Sequence, residues 1–62
     1  MKYEVENNPD TGYIRILCNR QEVLYWSRTE WEEDPNLIHN IIEAITIALV
    51  APDEMDRRLR EM

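Results

Sequence analysis

From Asn36 to Ala51 the chain reads N-L-I-H-N-I-I-E-A-I-T-I-A-L-V-A. Wound at 3.6 residues per turn, Asn36, His39, Asn40, Glu43 and Thr46 share one narrow polar stripe, and every other position is apolar. A helix that covers one sheet needs an apolar arc of a little over 100°. This one is apolar over roughly twice that arc, so the pattern predicts a helix over 35–51 with a second surface to cover. Asp34 suits its N-cap and Pro35 its first turn, while Pro52 stops it. Glu32, Glu33 and Asp34 complement the positive end of its dipole. The seam expected to meet a second copy of the chain is Ile38, Ile41, Ile42, Ile45 and Leu49.

Three short runs with strand character precede the helix, at about 2–7, 13–18 and 22–27. Asn7-Asn8-Pro9-Asp10-Thr11-Gly12 joins the first two as a turn, because proline presets φ and glycine accepts positive φ. A polar connector centred on Arg20 and Gln21 joins the second and third. That centre pairs Cys18 with Val23, Leu17 with Leu24, Ile16 with Tyr25 and Arg15 with Trp26. It places Ile14, Ile16, Cys18, Val23 and Tyr25 on a core face with Tyr3 and Val5, and Tyr13, Arg15, Leu17, Leu24 and Trp26 on the other. Residues 28–33 read as an acidic linker carrying Trp31. Met55, Leu59 and Met62 recur at i, i+4 and i+7, which predicts a short helix over 53–61. The expected fold is α+β, a single domain over 1–62. It is a three-stranded antiparallel meander with the long helix packed on one face and a short C-terminal helix.

Sixty-two residues lie close to the size at which one apolar core is only just sufficient. Cys18 has no internal disulfide partner, and Cys18 and His39 alone are too few for zinc. Self-association is the remaining reinforcement, which predicts a homodimer. The lone cysteine suits a reducing compartment and the start M-K-Y-E-V-E has no apolar signal core, so a cytoplasmic location is expected. The apolar run is too short and too interrupted to span a bilayer.

The net charge is −6, unevenly placed. Residues 1–56 carry Lys2, Arg15, Arg20 and Arg28 against twelve acidic side chains, a net of −8, whereas Arg57, Arg58 and Arg60 against Glu61 make the end +2. An acidic body repels nucleic acid and favours a basic protein. The candidate contact residues are Tyr13, Arg15, Leu17, Leu24 and Trp26 on the second sheet face, with Glu30, Trp31, Glu32 and Glu33 beside them. Tyrosine and tryptophan dominate interface hot spots. Two arrangements of the tryptophans are open: both face a partner, or Trp31 folds over the sheet and Trp26 stacks on Arg15.

No catalytic set, cofactor site or metal site is expected. Cys18 falls on the core face, and His39 on the polar stripe. Glu30, Glu32, Glu33 and Asp34 lack the glycine of a calcium loop and read as solvated linker and helix cap.

The stretch K-Y-E-V-E-N-N-P-D-T-G-Y-I-R-I and the later N-I-I-E-A-I-T-I-A-L resemble the N-terminal domain of HicB-type antitoxins, through Tyr3, Asp10, Gly12, Tyr13, Asn40, Glu43, Ala44 and Ile45. The likeness covers about half the chain. Between the two pieces, N-R-Q-E-V-L-Y-W-S-R-T-E-W-E-E-D-P stands where that family has a segment with proline and glycine. The resemblance implies a partly RNase-H-like sheet with a packed helix, self-association, and masking of a small basic ribonuclease. Two functions are therefore expected. The first is a non-enzymatic inhibitor of a basic protein that acts on nucleic acid, antitoxin-like or of the phage or plasmid kind. The alternative is a structural subunit or assembly factor of a larger complex.

Overall fold

The computed structural model describes residues 2–61. Met62, expected to close the seam of the last helix, lies outside that range. The fold is α+β, with strands β1 (Tyr3–Asn7), β2 (Ile14–Cys18) and β3 (Gln21–Trp26) followed by helices α1 (Arg28–Glu33), α2 (Pro35–Val50) and α3 (Pro52–Glu61). The strands form one antiparallel sheet in the order β1-β2-β3, the expected meander.

The β1–β2 turn is built by side chain and backbone together. Asn8 Oδ1 accepts from the amides of Asp10 (2.9 Å) and Thr11 (3.2 Å), and the Gly12 amide donates to the Asn8 carbonyl at 2.7 Å. Gly12 sits at φ +77°, and a Cβ there would stand 2.7 Å from Arg28 Cδ and 2.9 Å from Arg28 Cβ. Both the backbone conformation and the close passage of Arg28 require glycine. Gly12→Ala is expected to lower stability by about 1–3 kcal/mol. An unchanged urea midpoint would contradict that account of the turn.

The β2–β3 connection differs from expectation. It is a two-residue loop, Asn19 and Arg20, both at positive φ (53° and 68°), with Cys18 opposite Gln21. This is the type I′ geometry that matches strand twist. One residue further, the ladder shifts: Leu17 faces Glu22, but Ile16 faces Leu24, which leaves Val23 as a bulge. Arg15 then faces Tyr25, and Ile14 faces Trp26. A one-residue slip moves side chains to the opposite sheet face. Leu24 and Trp26 therefore pack against the core, and Tyr25 turns outward, the reverse of the expected assignment. Val23 keeps its core contact because it is the bulged residue.

The second correction is α1. Residues 28–33 are a helix rather than a linker. Ser27 caps it, its Oγ accepting from the Glu30 amide at 3.3 Å and donating to Glu30 Oε1 at 3.2 Å. Ser27-Arg28-Thr29-Glu30 has the S-x-x-E spacing of a capping box. Asp34 ends α1 and, with its Oδ1 accepting from the Asn36 amide at 3.1 Å, caps α2.

α2 and α3 cover the inner face of the sheet. Tyr3, Ile16, Ala48 and Met55 are the buried centre, with Val5, Cys18, Leu24, Trp26, Ala44, Ile45 and Leu59 packed around it. α3 runs back along α2, which Arg58 marks by donating from Nη1 to Glu43 Oε1 at 2.8 Å. β1 is tied to α3 through Asp56, which accepts from Lys2 Nζ at 2.6 Å and from the Tyr3 hydroxyl.

The Tyr3–Asp56 contact makes stability depend on pH at both ends. The bonds from Lys2 and then Tyr3 hold the Asp56 carboxyl below its ordinary range. Its contribution is present above about pH 4, the usual aspartate value, and is lost as pH falls toward the depressed one. Burial, and then the bond to Asp56, push the Tyr3 phenol up to about 12. That contribution is complete below about pH 10 and is lost as pH climbs toward the raised value. Between those two alkaline limits the urea midpoint should fall more steeply for the parent than for Tyr3→Phe. Equal slopes would show that Tyr3 is not the responsible group.

Candidate protein-binding surface

No described helix is packed on the outer face of the sheet. The strand register brings together Glu4 and Glu6 from β1, Arg15 and Leu17 from β2, and Glu22 and Tyr25 from β3, with Tyr13 at the mouth of β2. Arg15 is the hub. Its Nη2 donates to both Glu6 carboxylate oxygens, at 2.9 and 2.8 Å, and its Nη1 lies 3.6 Å from Glu22 Oε1. Its guanidinium sits 5.6 Å from the Tyr13 ring centroid, and the Tyr13 hydroxyl donates to Glu6 Oε1 at 2.7 Å. Tyr13 and Tyr25 lie 5.7 Å apart between centroids, tilted by 35°. The result is an aromatic shelf set in carboxylates.

The charges on this shelf are stable ones. The bond from Tyr13, and then the bonds from Arg15, hold Glu6 below its ordinary range. The same contacts raise Arg15 and Tyr13, in each case chiefly through the bond with Glu6. Arg15 Nε is buried without a hydrogen-bond partner. With Glu4, Glu6 and Glu22 against Arg15, the outer face is acidic at neutral pH.

Of the residues expected to bind a partner, Tyr13, Arg15 and Leu17 lie on this shelf. Leu24 and Trp26 do not, for the register reason given above, and Trp26 cannot stack on Arg15 from the opposite face. Tyr25, placed in the core by pattern alone, is 47% exposed and replaces them. Trp31 folds back: its Nε1 donates to the Gly12 carbonyl at 2.8 Å, which pins α1 to the turn next to Tyr13. Glu30, Glu32 and Glu33 are exposed on α1, with Glu32 paired to Arg28 Nε at 2.7 Å. Of the α2 seam, Ile41 is 2% exposed and belongs to the chain's own packing. The other four remain at the surface or partly so.

Among the described residues, no group of three His, Cys, Asp or Glu side chains is placed to hold a metal ion. Cys18 is half-buried against the core, and His39 is exposed on α2. No described helix is long and apolar enough to cross a membrane. A cleft of about 310 Å³ lies between α2, α3 and β3, where Asn40, Glu43 and Arg58 surround an apolar floor of Leu24, Ala44, Met55 and Leu59. Glu43 and Arg58 are already engaged with each other there.

No protein-family model, curated protein or solved structure matches the chain.

Proposed function

We propose that the protein is a small, non-enzymatic, protein-binding regulator that uses the acidic aromatic face of its sheet to engage and inhibit a basic protein, one whose own work is on nucleic acid. The observation that carries this reading is the bare outer face, where Tyr13, Tyr25 and Leu17 offer contact area between Glu4, Glu6 and Glu22. Aromatic rings supply much of the energy of protein interfaces, and complementary charge supplies encounter rate and partner choice. The preformed Arg15–Glu6–Tyr13 network means that little of this surface need be ordered on binding. The exposed carboxylates of α1 extend the acidic surface past the turn that Trp31 holds. The net charge of −6 works against direct binding of nucleic acid and in favour of a basic partner. The resemblance of the β1–β2 segment and the middle of α2 to HicB-type antitoxins supports a ribonuclease toxin as the kind of partner.

The test is affinity capture from the native host with the tagged chain and with Tyr25→Ala, each at low and high salt. A basic nucleic-acid-acting protein should be retained by the parent chain, released by salt and missing from the variant. Identical capture by both chains, insensitive to salt, would contradict the assignment of the face and the part played by charge.

A further inference from the structure

The apolar seam left on α2 is a different surface from the sheet's outer face. Ile38, Ile42 and Leu49 are 39%, 56% and 42% exposed, and Ile45 is half-buried between them. We infer that this seam pairs with the same seam of a second copy, antiparallel about a two-fold axis. The pairing sets Ile38 against Leu49 of the partner subunit and Ile42 against Ile45 of the partner subunit.

Three observations select that occupant and that direction. The first is spacing. Positions 38, 42, 45 and 49 are separated by four, three and four residues, the interval of a helix-pair seam. The series reads the same from either end. Ile38 with Leu49 and Ile42 with Ile45 share one midpoint, between residues 43 and 44. A two-fold axis there superposes the seam on itself, as an isologous interface requires.

The second observation is charge. The seam has no ionisable side chain, in a chain that is 32% charged. Glu43 is turned toward α3 and paired with Arg58, and Thr46, beside the seam, gives its hydroxyl to the Ile42 carbonyl at 2.8 Å. A basic partner guided by charge has no carboxylate to meet on this strip. Two copies, each carrying −6, repel least where they meet across an uncharged strip.

The third observation fixes direction. Glu32, Glu33 and Asp34 crowd the start of α2. Parallel pairing would bring two such runs together. Antiparallel pairing of a 16-residue helix holds them about 24 Å apart, beyond the screening length at physiological salt, and opposes the helix dipoles. It also brings Leu49 of the partner subunit to the mouth of a groove of about 300 Å³ that Ile14, Trp31, Ile41 and Ile42 line beside Ile38. Symmetry fills both grooves at once. The two outer sheet faces stay free, so the pairing stands or falls apart from the function proposed above.

Sedimentation tests the pairing. The parent chain should sediment at twice its 7.5 kDa. Ile42→Glu and Leu49→Lys should each raise the dimer dissociation constant by more than about 100-fold, since every substitution buries two unpaired charges, with helical circular dichroism unchanged. In a Cys18→Ser background, a short bismaleimide should join Ile38→Cys chains to Leu49→Cys chains in a mixture and leave Ile38→Cys alone uncoupled. A parent chain monomeric at about 100 μM would overturn the inference, as would dimers that survive both charge substitutions. Efficient coupling of Ile38→Cys to itself would overturn the antiparallel direction.

Discussion

Ile16→Ala is expected to cost the domain most of its stability. Ile16 is 0% exposed at the middle of the central strand and belongs to the buried cluster of Tyr3, Ala48 and Met55. Truncating a fully buried isoleucine costs about 2–5 kcal/mol, from lost transfer energy and from the cavity left behind. Native domains are stable by only about 5–15 kcal/mol, and a chain of 62 residues belongs near the lower end because it buries a smaller share of its surface. The variant should be largely unfolded in mild urea, while Ile16→Val should lose only about 0.5–1.5 kcal/mol. Trp26, packed on the core, and Trp31, bonded to the Gly12 carbonyl, are natural fluorescence reporters of the transition. A midpoint for Ile16→Ala equal to that of the parent would mean that β2 does not run through the core.

The second large effect is expected in binding rather than folding. Tyr25 is half-exposed, leans on Tyr13 and stands opposite Arg15. Removing its ring should cost the isolated chain less than about 1 kcal/mol, the usual worth of a cross-strand pair. If the outer face meets a partner, the same ring is a hot-spot side chain, and Tyr25→Ala should weaken the complex by about 2 kcal/mol or more, roughly 30-fold in dissociation constant. Calorimetric titration of parent and variant checks this, with urea unfolding run beside it to show that the fold is kept. A loss of affinity matched by an equal loss of stability would assign Tyr25 to the fold and not to the interface.

The difference between Tyr25 and its neighbours also shows where pattern stops being informative. The α2 helix is legible because Asp34-Pro35 and Pro52 mark its ends and because its few polar residues fall on one stripe. The meander is legible from Asn8-Pro9-Asp10-Thr11-Gly12 and from the β-branched content of β2. The phase of β3 is not. Val23-Leu24-Tyr25-Trp26 is apolar at every position, so alternation cannot say which residues face inward. The usual Asn-Gly signal of a type I′ turn is replaced by Asn19-Arg20. The bulge at Val23 then adds a residue that no periodicity encodes. α1 carries a signal in the sequence: its acidic composition is that of a linker, but Ser27 and Glu30 stand at capping-box spacing. The division of α2 was visible only in part. Its wide apolar arc required two surfaces, yet placing Ile41 inside and Ile42 outside needed the sheet and α1 in position.

The shelf itself was half visible. Tyr13, Arg15 and Leu17 belong to a strand whose alternation is clear, and the structure keeps them on one face. The acidic rim is not legible as a rim, because Glu6 and Glu22 reach Arg15, and Glu4 comes beside Leu17, only through cross-strand pairing. The acidity of the chain is plain in its composition. The register decides that three of its carboxylates share one sheet face with two tyrosines.

The most direct test of the proposed binding face is to map it residue by residue. Amide chemical shifts of the isotopically labelled chain should be followed as the basic protein recovered by salt-sensitive capture is added. Perturbations concentrated at Tyr13, Arg15, Leu17, Glu22 and Tyr25, with Ile38, Ile42 and Leu49 unmoved, are what the account predicts. Perturbations confined to α2 and α3, with the sheet face silent, would contradict it.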